Sequence, residues 1–162
     1  MMGRMHFTHT MTYDASVAEV GAMLDDPAYR DQVIVAQRSL GGTATFEQEG
    51  DTVVVVVDVI QPADDIPGFA RKIVGDRINV VQREEWTSAD HADLRVTIPG
   101  KPGQMVGSID LAEDGGVTTE TVDCEITVHL PLVGGRPEKL IGDLLLKALR
   151  AEERVARDYL SR

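Results

Sequence analysis

The feature that most constrains the fold is a long amphipathic stretch at the C-terminal end of the chain. It follows a turn predicted at Gly134-Gly135 and begins with Pro137 and Glu138, which are favoured in the first turn of a helix. Apolar residues then recur at intervals of three and four, which is typical of a helix with one buried face. They are Leu140, Ile141, Leu144, Leu145, Ala148, Leu149, Val155, Ala156, Tyr159 and Leu160. A helix over residues 137–160 spans about 36 Å, so it needs a large apolar surface to pack against.

The chain before this helix predicts a sheet that supplies such a surface. Alternation from Met5 to Tyr13 indicates a first strand, and Asp14 or Ser16 is placed to cap a helix after it. The stretch at 28–37 is ambiguous and fits a further helical turn followed by extended chain. Further along, the pattern predicts a hairpin within 43–60, a short helix at 67–74, and strands at 77–86, 92–98, 104–111 and 117–130.

Together these elements predict a single α+β domain over residues 5–162, with residues 1–4 disordered. Its core would be an antiparallel sheet of six or seven strands, with the C-terminal helix across one face. A twisted sheet and a straight helix touch only partly, so the two can enclose a cavity.

Charge and cysteine content limit the classes of partner. The formal net charge of -11 argues against a nucleic acid or an anionic membrane surface as partner, whereas a neutral or cationic small molecule fits. Cys124 is the only cysteine, so no internal disulfide can form, as is usual in the cytoplasm. Neither a signal peptide nor a stretch of membrane-spanning length is evident. We therefore expect a cytoplasmic protein without stable membrane insertion, and no pattern predicts a metal site or a cofactor.

Two segments and the order of elements resemble a known superfamily. The segment DASVAEVGAMLDDPAYRD at 14–31 and the run PLVGGRPEKLI at 131–141 are similar to the START-like helix-grip (SRPBCC) superfamily. Within it, the chain resembles an uncharacterised bacterial branch related to polyketide cyclases and lipid-transfer proteins. The resemblance covers the chain from Met5 and implies a curved sheet wrapped around the C-terminal helix. It implies no shared catalytic motif, so the site is argued from the residues themselves.

Polar and aromatic residues on otherwise apolar faces are the candidates for lining the cavity. The sequence also allows a purely structural role for each: His9 can be hydrogen-bonded in the core, Cys124 can be a small buried side chain, and Trp86 can close one end. With the apolar residues beside them, the candidate ligand-binding residues are Phe7, His9, Met11, Tyr13, Val80, Gln82, Glu84, Trp86, Cys124, Leu145 and Leu149.

Glu84 gives this hypothesis a measurable consequence. If its carboxylate lines an apolar cavity, desolvation should raise its pKa above the ordinary value of about 4.3. A carboxylate with a raised pKa destabilises the fold as pH rises, so Glu84→Gln would then stabilise the protein at neutral pH.

Three functions are consistent with the sequence. The leading hypothesis is a non-enzymatic module that binds or carries an apolar or amphipathic small molecule of lipid, polyketide or aromatic type. The second is a cyclase- or dehydratase-type enzyme in which Glu84 or His9 transfers a proton. The third is an interaction domain whose core is filled by its own side chains. The sequence identifies neither the ligand nor the oligomeric state.

Overall fold

A computed structural model describes residues 2–129 and 137–162, and within these ranges the chain forms seven strands and four helices. In chain order they are β1 Met2–Tyr13, α1 Val17–Leu24, α2 Pro27–Ala36, β2 Gly41–Glu49, β3 Thr52–Pro62, α3 Gly68–Val74, β4 Arg77–Ser88, β5 His91–Thr97, β6 Gly103–Asp114, β7 Val117–His129 and α4 Pro137–Leu160. The predicted α+β architecture with a long C-terminal helix is confirmed.

The seven strands form one antiparallel sheet in the order β1-β7-β6-β5-β4-β3-β2. Strands β2 to β7 lie in the sheet in chain order, joined by hairpin turns except that α3 connects β3 to β4, and β1 pairs with β7 at the far edge. Directly opposed residues share a face of a sheet. The register therefore places Val55, Glu84, Leu94, Gly107 and Cys124 in one row across the inner face.

Helix α4 covers this inner face and closes the main core. It contacts β1 and β7 of the sheet and the two short helices α1 and α2. Leu149 and Ala156 of α4 are buried in the main core cluster, together with Leu94, Ile109 and Val122 of the sheet. The broad apolar stripe thus has the role that its spacing predicts. Among the described residues, none of the helices has the length and apolarity needed to cross a membrane.

The N-terminal strand is longer than its sequence pattern indicated. We expected a strand from Met5 after four disordered residues, but β1 begins at Met2, which is paired with His129 of β7. Backbone pairing to a neighbouring strand needs no particular side-chain pattern, so alternation alone misses such an extension. The predicted turn at Gly134-Gly135 and the end of the last predicted strand at Leu130 lie outside the described residues.

The ambiguous stretch at 28–37 belongs to a helix, α2. Asp26 caps it by accepting a hydrogen bond from the backbone N–H of Ala28 at 2.9 Å, and Pro27 occupies its first turn. Tyr29, Arg30 and the apolar Val33 are buried on one side. A charged residue on the buried face breaks the apolar period, which is why the pattern did not identify this helix.

Helix α1 begins with a capping box that gives a direct test of its local stability. The hydroxyl of Ser16 accepts a hydrogen bond from the backbone N–H of Glu19 at 3.1 Å, and the Glu19 carboxylate accepts one from the N–H of Ser16 at 3.2 Å. Ser16→Ala is expected to lower the free energy of unfolding by about 1 kcal/mol in urea titrations. Ser161→Ala, at an exposed serine beyond α4, should leave it unchanged. Equal effects from the two variants would contradict a stabilising cap.

Candidate functional site

A buried ion pair joins α2 to the sheet. Arg30 and Glu84 of β4 are only 4% and 2% exposed, and two parallel hydrogen bonds of 2.9 Å connect the guanidinium to the two carboxylate oxygens. Arg30 Nε also donates to the carbonyl oxygen of Leu24 at 2.8 Å. This two-pronged geometry is the strongest form of carboxylate recognition by arginine. The pair therefore fixes the position of α2 on the inner face.

Glu84 also accepts hydrogen bonds from two neighbours on its own strand. Gln82 Nε2 donates to one carboxylate oxygen at 2.6 Å, and Trp86 Nε1 donates to the other at 2.9 Å. Burial alone raises the pKa of Glu84, but the charge of Arg30 and the hydrogen bonds from all three side chains outweigh burial and hold the pKa below its ordinary value.

Our expectation of a raised pKa at Glu84 is therefore wrong, and so is the expected stabilisation by Glu84→Gln. The reason is Arg30, which lies 54 positions away in the segment whose structure the sequence left open. Because Glu84 is ionised and fully hydrogen-bonded, it is also a poor candidate for the proton-transfer group of an enzyme.

A cavity lies between strands β4 to β7 and helix α4. Most of its wall is apolar, while Gln82, Glu120 and Glu152 supply polar groups. The full lining is Gln82, Leu94, Val96, Met105, Ile109, Glu120, Val122, Cys124, Leu145, Leu149 and Glu152. The cavity is small: the centre of a water molecule can occupy about 20 Å³ of it, which is enough for about one ordered water.

Glu120 of β7 and Glu152 of α4 are the two carboxyl groups of this cavity. Glu120 is 2% exposed, and its nearest donor is the Tyr13 hydroxyl, 3.4 Å from Oε1. Glu152 is partly accessible and accepts an equally long bond of 3.5 Å from the Tyr29 hydroxyl. Both bonds are at the long limit for O–H donors, so neither carboxyl group is well satisfied.

Burial shifts the protonation of both groups. Burial and the nearby charges of Glu152 and Glu84 raise the pKa of Glu120 to about 8. Burial raises the pKa of Glu152 to about 7, against the opposing effect of Arg30. The two groups thus exchange protons near neutral pH, in contrast to Glu84, whose lowered pKa keeps it ionised there.

The predicted site residues are distributed around this cavity. Four of them line it, namely Gln82, Cys124, Leu145 and Leu149. Glu84 does not line it but accepts a hydrogen bond from the lining residue Gln82. Burial raises the pKa of the Cys124 thiol to about 11, so it stays protonated and unreactive at neutral pH.

The remaining predicted residues belong to the surrounding core. Met11 and Tyr13 are fully buried, and the Tyr13 hydroxyl contacts both Met11 and Glu120. His9 does not line the cavity, and its Nε2 is buried without a hydrogen-bond partner among the described residues. The packing positions also include Phe7, Val80 and Trp86.

The sequence reasoning missed Arg30, Glu120 and Glu152. Two signals for the carboxylates were present: Glu120 lies two residues before Val122 on the same strand face, and Glu152 lies three residues after Leu149 on the apolar stripe of α4. Extending the alternation of β7 and the apolar stripe of α4 by one position each would have predicted that Glu120 and Glu152 face the interior. Arg30 had no such signal, because its helix lacks a regular apolar period.

Comparison with known proteins identifies a family and a fold. The family described as "Protein of unknown function (DUF2505)" matches residues 8–160 of the chain. No curated protein matches the sequence.

Several solved structures share the architecture over nearly the whole chain. The Zhui aromatase/cyclase from Streptomyces sp. R1128 has a TM-score of 0.67 at 15% identity. The match covers 99% of this chain and 95% of the aromatase/cyclase chain. A START superfamily protein from Mycobacterium smegmatis has a TM-score of 0.58 at 18% identity, covering 94% and 97%. Ara h 8.0201 has a TM-score of 0.59 at 13% identity, covering 99% and 100%. At these identities the likeness shows the fold alone, and the predicted helix-grip fold is confirmed.

Proposed function

Because the chain belongs to the family described as "Protein of unknown function (DUF2505)" and has a helix-grip fold, we propose that it binds an amphipathic small molecule between its sheet and α4. The observation that carries this proposal is the cavity itself, whose walls are apolar except for Gln82, Glu120 and Glu152. Apolar walls with a few convergent polar groups are typical of small-molecule sites.

The structural relatives share the sheet and helix between which the cavity lies. They include an aromatase/cyclase and a START superfamily protein, and the likeness covers nearly all of each chain. Fold alone does not determine function. The cavity residues of this chain are therefore what favours a ligand here.

Binding requires the cavity to expand, because its present volume admits about one water. Met105 and Leu145 are suited to move, since Met105 is an unbranched wall residue and Leu145 lies only partly buried on α4. A ligand would occupy the space that these two side chains vacate, with its polar end facing Glu120 and Glu152.

Trp86 provides the readout for a binding test. It is the only tryptophan, and its indole donates to Glu84, which is hydrogen-bonded to the cavity residue Gln82. Titration with fatty acids, flavonoid-type aromatics and quinones should change its emission saturably for at least one class. Micromolar affinity corresponds to about -8 kcal/mol.

A matched pair of leucines on α4 locates the site. Leu149→Phe fills space at the cavity wall and is expected to weaken binding about tenfold, at a stability cost of about 1–3 kcal/mol. Leu144→Phe enlarges a leucine that packs against the smaller core cluster instead, so it should leave binding unchanged. Equal weakening by the two variants would place the ligand elsewhere.

If no class binds and a ligand-soaked crystal keeps a closed core, the domain is better explained as an interaction module.

Acid–base catalysis is a second candidate, favoured by the two cavity carboxyl groups. Their pKa values of about 8 and about 7 lie near neutral pH, as a general acid or base requires. Glu120 and Glu152 thereby replace Glu84 and His9 as the candidate proton-transfer groups. Incubation with polyketide-type substrates separates the candidates: turnover that disappears in Glu120→Gln or Glu152→Gln indicates an enzyme, and binding without turnover indicates a carrier.

A further inference from the structure

The ionisable side chains around the cavity carry more potential negative than positive charge. The charged groups that meet there are Arg30 of α2, Glu84 of β4, Glu120 of β7 and Glu152 of α4. Arg30 is engaged in two hydrogen bonds with Glu84. The ion pairs formed by the described residues include neither Glu120 nor Glu152. One buried cation therefore faces three carboxyl groups.

The hydrogen-bond acceptors of the cavity are also incompletely used. Glu120 is almost fully buried, yet the described residues supply its Oε2 with no donor and its Oε1 only with the Tyr13 hydroxyl at 3.4 Å. Gln82 donates its amide N–H to Glu84, and its carbonyl oxygen receives no donor from the described part of the chain. Both residues line the cavity, so these free acceptors face its interior and favour a ligand that brings donors.

We propose that the cavity selects an organic cation, namely a primary ammonium group on an apolar body, with the ammonium held between Glu120, Glu152 and Gln82. The inference rests on the proposed function and specifies its ligand class. An ammonium group carries three N–H donors, and the cavity offers one acceptor on each of these three residues. The apolar walls formed by Leu94, Val96 and other side chains fit the body of the ligand rather than a hydrated metal ion.

The same carboxyl groups disfavour an acidic ligand. A carboxylate would bring no donor to the free acceptors, and the like charge would force Glu120 and Glu152 to bind protons before it could enter. A neutral alcohol has a single donor and brings no charge, so it would leave part of the acceptor set unused. The ammonium alone matches both the number of acceptors and their sign.

Three ligands with the same apolar body test this inference by calorimetry at pH 7.5. They are phenethylamine, phenethyl alcohol and hydrocinnamic acid, which differ in the polar end. Phenethylamine is expected to bind about tenfold more tightly than the alcohol, and hydrocinnamate should bind most weakly. Amine binding should also release protons, seen as a dependence of the binding heat on the buffer, because the cation ionises carboxyl groups whose pKa burial has raised.

Charge-removing variants assign the selectivity to the cavity. Glu120→Gln and Glu152→Gln should each weaken phenethylamine binding about tenfold and weaken alcohol binding much less, because the alcohol carries no charge. Glu153→Gln is the matched control, since Glu153 is the next residue of α4, is paired with Arg157 and does not line the cavity.

The outcomes separate this inference from the proposed function. If the alcohol or the acid binds as tightly as the amine, or if Glu153→Gln has the same effect as Glu152→Gln, the inference is wrong while ligand binding stands. If none of the three binds but an apolar compound of the fluorescence titration does, the inference again fails alone. If nothing binds in either experiment, both proposals fail.

Discussion

Arg30→Met is expected to lower the free energy of unfolding by about 3–5 kcal/mol in urea titrations at pH 7. The substitution removes the one cationic partner that the described residues give Glu84, which is 2% exposed and depends on Arg30 for two of its hydrogen bonds. The carboxylate must then either stay ionised in a buried site or take up a proton. Both alternatives cost free energy that the native ion pair avoids.

Two further variants show that the loss comes from the buried charge. Arg30→Met combined with Glu84→Gln leaves no unpaired charge and keeps an acceptor for Trp86, so it should recover much of the stability. Arg4→Met removes the partner of Glu125 in an ion pair that is largely exposed, and it should have little effect. If Arg30→Met is as mild as Arg4→Met, the pair does not hold α2 on the sheet.

Period-based reasoning predicted the fold well because the fold depends on which faces are apolar. The stripe from Leu140 to Leu160 predicts α4, and alternation at Val122, Cys124 and Ile126 predicts the inner face of β7. These patterns are local, because the polarity of a residue indicates only whether its own position is buried. They predict the order of elements and the helix across the sheet without any knowledge of which side chains meet.

The site was only partly predictable for the opposite reason. Its properties arise from contacts between distant segments, such as Arg30 with Glu84 across 54 positions and Tyr13 with Glu120 across 107. Alternation placed Glu84 on the inner face correctly but gave no information on its partner, and the partner reversed the direction of its pKa shift. The raised pKa that we expected at Glu84 occurs instead at Glu120, which forms no direct ion pair with a guanidinium of the described residues.

This difference between Glu84 and Glu120 leads to an expected stabilisation. Glu120→Gln should raise the free energy of unfolding by about 4 kcal/mol at pH 8, and the gain should be near zero at pH 4. The folded protein holds the Glu120 proton up to about pH 8, whereas the unfolded chain releases it near the ordinary value of 4.5. The wild-type protein therefore loses stability as pH rises between these two values, and a neutral glutamine removes that loss.

Urea unfolding of wild type and variant at several pH values measures the effect. Glu125→Gln, at an exposed position of the same strand, is the control and should show no gain that grows with pH. Because Glu152 also faces the cavity, Glu120→Gln and Glu152→Gln should be less than additive when combined, since removing either charge relieves the other group. A gain independent of pH, or a loss at pH 8, would show that the Glu120 carboxylate has a compensating partner, and the charge argument for a cationic ligand would lose its basis.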